Sequence, residues 1–181
     1  MWLRESDLPS VIEYYESGRM CIEMWHMHGD CHRDSDLPAL ICYYESGIKN
    51  REAWYNHNFI HRKGDLAAEI DYYESGKLHK ETWRINDMFH RDRDLPAVIE
   101  YYESGQKHME QWYNNDHLHR EGDLAAEIHY YESGKVYREI WRKHGKCHRD
   151  RDLPAAIEYF ESGQKHIEYW YKFGVALSTE H

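Results

Sequence analysis

DLPAVIEYYESGQKHMEQWYNNDHLHR, residues 94–120, is the stretch on which the fold turns. The run AVIEYY is short and rich in β-branched and aromatic residues, and Glu103-Ser104-Gly105 breaks it. QKHMEQWY then alternates polar and apolar members until NND breaks the chain again. Strand, turn, strand, turn is the reading. Helix is disfavoured, because a glycine recurs in every unit, the runs are only six to eight residues long, and no segment sustains a 3.6-residue period. The remaining HLHREGDL crosses to the next hairpin, with a two- or three-residue strand expected at HLH.

Working outward, the same peptide fills the chain. Asp-Leu stands at Asp7, Asp36, Asp65, Asp94, Asp123 and Asp152, always 29 residues apart and without insertion. In the same phase come Ile12, Ile41, Ile70, Ile99, Ile128 and Ile157. The Glu-Ser-Gly triplets end at Gly18, Gly47, Gly76, Gly105, Gly134 and Gly163, and a tryptophan recurs at Trp25, Trp54, Trp83, Trp112, Trp141 and Trp170. A fixed period of this size marks a stacked array in which each unit rests on its neighbours. The expected fold is all-β: an elongated, single-layer antiparallel sheet of six hairpin units over 1–171, with 172–181 as a C-terminal cap or tail. Such a sheet has a free edge at each end, so self-association through the edges is expected.

A second period lies on the first. Four units read Asp-Leu-Pro, with Pro9, Pro38, Pro96 and Pro154, whereas those from Asp65 and Asp123 read Asp-Leu-Ala-Ala. Over the last four units the copied length is therefore 58 residues. Either odd and even hairpins meet different neighbours, or a two-hairpin segment was duplicated.

Turn chemistry leaves the register open. Glu-Ser-Gly suits a three-residue loop with a left-handed glycine, because only glycine takes positive φ without a steric cost. That form sets Tyr14 opposite Met20 and gives the sheet an aromatic stripe on each face, Ile and the first Tyr on one, Trp and the second Tyr on the other. A loop of even count instead gathers Ile12, Tyr14, Glu23 and Trp25 on one face. It also sets the small column Ser10, Ala39, Ala68, Ala97, Ala126 and Ala155 against the tryptophans. The three-residue form is the one preferred on turn chemistry.

Composition narrows the function classes. Sixteen Tyr and seven Trp against four Phe suit surfaces half covered by solvent, since the large rings carry polar tips. Lys+Arg total 23 against 33 Asp+Glu, a formal charge of -10 that gives no general attraction to nucleic acid or anionic lipid. The opening MWLRESDLPS has no basic-then-apolar signal segment, and no run approaches the roughly eighteen apolar residues of a membrane helix. The expectation is a soluble protein of the cytoplasm or of a virion. Cys21, Cys31, Cys42 and Cys147 show no CxxC spacing and read as free thiols.

The columns also set the candidate residues. Glu23, Glu52, Glu81, Glu110, Glu139 and Glu168 precede each Trp by two positions. Six equally spaced carboxylates are poor material for catalysis, which needs one pair held in a pocket. A structural role follows: Glu52, Glu81, Glu110 and Glu139 are expected to meet Arg62, Arg91, Arg120 and Arg149 of the His-Arg column and to clamp successive hairpins. Equivalent histidines two strands apart lie about 9.6 Å from each other, too far to share a zinc whose ligands sit about 2 Å away. No catalytic residue, metal or cofactor is expected; HRDRDLP at 90–96 matches a kinase loop only by accident of the repeat. Aromatic residues dominate interaction hot spots, so Trp54, Trp83, Trp112 and Trp141 with Tyr73, Tyr102 and Tyr131 form the candidate partner surface.

The pattern YYESGxxxxExW, followed by a turn and a His-Arg pair, resembles the MORN-type repeats, in the variant arrays found in bacteria and giant DNA viruses. The resemblance covers nearly the whole chain. It implies an elongated, twisted antiparallel sheet of consecutive hairpins and a non-catalytic role in protein association or structural assembly, including as a virion component. The alternative it implies is a membrane-surface adaptor that binds lipid head groups.

Overall fold

A computed structural model describes residues 8–177; Asp7, the chain start read above for a leader, and 178–181 of the expected tail lie outside the described residues. The described chain is strand and turn with no helix, so none is long and apolar enough to cross a membrane. It divides into two compact units at Met88 and Phe89.

In the first unit the long strands follow chain order, each hydrogen-bonded to the next and antiparallel: Val11–Tyr14, Met20–Met24, Leu40–Tyr43, Lys49–Ala53, Glu69–Tyr72 and Leu78–Thr82. The second unit repeats this with Val98–Tyr101, Lys107–Gln111, Glu127–Tyr130, Val136–Ile140, Ala156–Tyr159 and Lys165–Tyr169. Within each unit every hairpin pairs with its sequence neighbour, as the 29-residue period requires.

The turn and the register answer the conflict left by the sequence. Tyr102 N donates to Gln106 O and Gly105 N to Tyr102 O, with Gly105 at φ +91, so the loop is the three-residue form. Tyr101 accordingly faces Lys107. One step on, His108 bulges out, Glu100 faces Met109 and Ile99 faces Glu110. A bulge inserts one unpaired residue and thereby restores an even count. It recurs at Cys21, Asn50, His79, Tyr137 and His166. As a result Trp112 shares the face of Ala97, Ile99, Tyr101 and Glu110, and the expected pairing of Trp with the second Tyr on one face is corrected.

After each long hairpin the chain makes a short one. Tyr113–Asn114 pairs with His117–Leu118 around Asn115 and Asp116, whose φ values of +46 and +66 define a type I′ turn. The strand expected at HLH is this one. Equivalent pairs join His26–Met27 to Asp30–Cys31, Tyr55–Asn56 to Phe59–Ile60, and Arg142–Lys143 to Lys146–Cys147. Tyr171–Lys172 pairs with Val175–Ala176 in the same way, so 171–177 complete the sixth repeat instead of beginning a separate cap.

The alanines at 39, 68, 97, 126 and 155 have no exposed area, and Trp25, Trp54, Trp83, Trp112 and Trp141 are buried. The backbone N–H groups of Trp25, Trp54, Trp112 and Trp141 donate to the carbonyls of Ala39, Ala68, Ala126 and Ala155. In the second unit Ala125, Trp141 and Ile157 form one apolar cluster, flanked by Ile128 and Tyr159.

Candidate functional site

The Glu column binds tyrosine, not arginine. Tyr43, Tyr72 and Tyr159 donate their hydroxyls to Glu23, Glu52 and Glu139 one hairpin earlier, at 2.5, 2.7 and 2.6 Å. Tyr130 does the same to Glu110. Burial, and then the carboxylate acceptor, raise all four phenols well above their ordinary range. Lys49 and Lys107 hold the other oxygens of Glu52 and Glu110. The Glu–Arg clamp expected for Glu52, Glu110 and Glu139 is therefore corrected: the clamp exists, but its donor is the first Tyr of the following hairpin.

The arginines close each repeat on itself. Arg62, Arg120 and Arg149 fork onto Asp36, Asp94 and Asp123, the residues that open their repeats 26 positions earlier. Hydrogen bonds from these arginines hold the Asp36 and Asp123 carboxyls below the usual range. Each guanidinium also lies flat over a tryptophan, Arg62 3.7 Å from the Trp54 ring, Arg120 3.9 Å from Trp112 and Arg149 3.8 Å from Trp141. Cation–π stacking of this kind contributes about 0.5–2 kcal/mol. Arg91 donates to Pro96 O. With Arg above in three repeats, Trp54, Trp83, Trp112 and Trp141 are buried, and their candidacy as a partner surface is corrected on that ground.

Clefts recur between successive His-Arg loops. One in the first unit has a volume of about 290 Å³ and is lined by Arg33, Asp36, Trp54 and Arg62; equivalents in the second unit measure about 230 and 270 Å³. Of their arginines, Arg62, Arg120 and Arg149 are engaged with aspartates. The histidines bond acids two positions on, His32 to Asp34, His90 to Asp92 and His148 to Asp150. Among the described residues no group of three or more His, Cys, Asp or Glu is placed to hold a metal. All four cysteines are free, and burial raises the Cys31 and Cys42 thiols.

The second Tyr column has a different place. Tyr102 and Tyr131 donate to the carbonyls of Tyr130 and Tyr159 in the next hairpin, while their rings remain half exposed on the face opposite the tryptophans. The bulge residue packs against each ring: Tyr73 with His79, Tyr102 with His108, Tyr131 with Tyr137 and Phe160 with His166, at centroid distances of 4.4, 4.5, 5.2 and 4.1 Å. Pairwise columns of this kind were missed from the sequence, because a bulge one residue past the turn is not encoded in the apolar pattern.

The two-hairpin period has a chemical content. In the repeats that read Asp-Leu-Ala-Ala, the next residue is a buried glutamate, Glu69 or Glu127, and the residue after Trp is Arg84 or Arg142. They pair at 2.5 and 3.5 Å. Burial raises the Glu127 carboxyl, but the His129 hydrogen bond and the Arg142 charge outweigh it and leave it lowered. In the fourth repeat, Val98 takes the glutamate's place, fully buried, and Tyr113 the arginine's, its hydroxyl on Gln111. The third, fourth and fifth repeats thus carry in turn a Glu–Arg ion pair, Val with Tyr, and a Glu–Arg ion pair.

Compared with protein-family models and with curated proteins, the chain matches none.

Proposed function

We propose that the chain is a non-catalytic repeat scaffold of the MORN type that holds a protein partner along its column of tip aromatics. The observation that carries this reading is the row Tyr102–His108, Tyr131–Tyr137 and Phe160–His166: one preassembled ring pair per hairpin, partly open to solvent, on a sheet that fixes its spacing. Paired rings are large contact surfaces that lose little side-chain freedom when a partner covers them. The remaining conspicuous groups point the same way. The repeated carboxylates and arginines are used in holding hairpins together, and the clefts repeat with the array instead of forming one chosen pocket.

A photo-crosslinking residue at position 102 or 137, in the otherwise intact protein, tests the reading in the source cell. A single protein species captured from both positions, and lost with Tyr131→Ala, supports it. Capture of lipid, or of nothing from either position while a crosslinker at 121 on the cleft side captures protein, would overturn it.

A further inference from the structure

Each internal junction between hairpins has a direction. The earlier hairpin offers a glutamate and the hydroxyl of its second Tyr; the later one offers the hydroxyl and the carbonyl of its first Tyr. Glu110 shows the full arrangement, with Oε1 on Lys107, Oε2 on Tyr130, and Met109, Glu110 and Gln111 facing His129, Ile128 and Glu127.

The two outer edges of the array carry the two halves of this junction. On the last strand, Glu168 Oε1 is held by Lys165 at 2.6 Å, as at Glu110, and among the described residues no tyrosine reaches Oε2. On the first strand, Tyr14 is 61% exposed with no hydrogen-bond partner for its hydroxyl among the described residues, and Ile12 is 42% exposed where Ile41, Ile99 and Ile157 are buried. Among the described residues the strand Val11–Tyr14 pairs with Met20–Met24 alone. In the two-hairpin period the sixth and first repeats both read Asp-Leu-Pro, with Pro154 and Pro9, as do the first and second, with Pro9 and Pro38. A junction from sixth to first repeat is therefore of the kind that joins Met20–Met24 to Leu40–Tyr43.

We infer that a second copy of this chain docks head to tail, its strand Val11–Tyr14 on Lys165–Tyr169 of the first, with Tyr14 donating to Glu168 Oε2, Ile12 facing Glu168 and Glu13 facing Ile167. The contact is heterologous: each copy offers its first strand and accepts on its last. It is also weaker than an internal junction by design of the last repeat. Phe160 stands where Tyr131 donates a hydroxyl to Tyr159 O, so one cross-hairpin hydrogen bond is missing. The assembly is accordingly reversible. This inference extends the scaffold reading without depending on it, since a chain that never self-associates still has its tip aromatics.

Sedimentation velocity over a range of concentrations tests it on the full chain. Concentration-dependent association is expected, with the dissociation constant raised about 10-fold or more by Tyr14→Phe and by Glu168→Gln, in line with loss of one charge-assisted hydrogen bond, and lowered by Phe160→Tyr. Tyr14 is exposed in the single chain, so its variant keeps the melting temperature of the parent and separates docking from folding. A single species at every concentration, in the parent and in Phe160→Tyr alike, overturns the inference. So does association that ignores these three substitutions but falls with Tyr137→Ala, which moves the contact to the tip aromatics.

Discussion

Tyr130 donates its hydroxyl to Glu110, a carboxylate one hairpin earlier that is 8% exposed and whose other oxygen lies 2.6 Å from Lys107 Nζ. The bond joins two hairpins that also meet through the backbone ladder, through the Tyr102 hydroxyl on Tyr130 O and through Gln111 on Glu127. Removing a donor from a buried charged acceptor costs about 1–3 kcal/mol. Tyr130→Phe is therefore expected to lower the denaturant midpoint by that amount, with an unchanged dependence on denaturant. Phe160→Tyr, which adds a hydroxyl at the outer hairpin, should leave the midpoint of the single chain within about 0.5 kcal/mol of the parent.

The same tyrosines set a limit at high pH. Tyr43, Tyr72, Tyr130 and Tyr159 all have folded-state pKa values raised above the unfolded value of about 10. Their contribution is fully present below pH 10, and it is lost as pH rises from there toward the folded values, because the unfolded chain releases protons that the folded chain retains. Melting temperature should be flat in this respect up to about pH 10 and fall steeply beyond it. Replacing Tyr72, Tyr130 and Tyr159 together by Phe should make the fall shallower although the protein starts less stable. An unchanged slope would remove these phenols from the account.

Arg120 meets Asp94 through two nitrogens, caps the Trp112 ring and donates to Ala125 O at 3.4 Å. A lysine keeps the charge but has neither the fork nor the flat face. Arg120→Lys should cost about 1–2 kcal/mol and shift the tryptophan emission to the red as water reaches the indole. Arg120→Ala should produce a larger shift, because the aliphatic stem that covers the ring is lost as well.

How much of this was legible in the sequence follows from what a repeat encodes. The hairpins, their turn at Glu-Ser-Gly and their order came from the 29-residue columns, because each hairpin must pair with its neighbour. The face of the tryptophans did not, since it depends on a bulge at His108 and its equivalents, where one unpaired residue reverses the alternation. The choice of Tyr as the partner of Glu110 was hidden for a different reason: it rests on the register between hairpins, in which Glu110 faces Ile128 and so shares a face with Tyr130, and the apolar pattern does not encode that register. Asp94 as the partner of Arg120 is a contact across 26 residues of the same repeat, set by the path of the short hairpin. The alternation of Glu-Arg with Val-Tyr, by contrast, stands in the sequence at 69 and 84, 98 and 113, 127 and 142; it was visible as a 58-residue period and lacked only a geometry.

That geometry permits a test of whether odd and even repeats differ in energy or only in descent. Glu127 is 7% exposed and faces Arg142 at 3.5 Å, His129 at 2.8 Å and Gln111 at 3.2 Å. The fourth repeat fills the equivalent places with Val98 and Tyr113. Arg142→Tyr alone leaves a buried carboxylate with only His129 and Gln111, and should cost about 2 kcal/mol, less than the 3–5 of a fully isolated charge because those two partners remain. Glu127→Val alone strands the guanidinium, which reaches solvent more readily, and should cost less. The double substitution converts the fifth repeat to the chemistry of the fourth, and a buried ion pair replaced by apolar groups of similar size is often neutral or stabilising. The double variant is therefore expected within about 1 kcal/mol of the parent, with a coupling of about 1–2 kcal/mol between the two positions in a double-mutant cycle. Denaturant unfolding followed by tryptophan fluorescence measures all four proteins. Strict additivity would mean that the two side chains do not act as a pair, and that the 58-residue period records duplication alone.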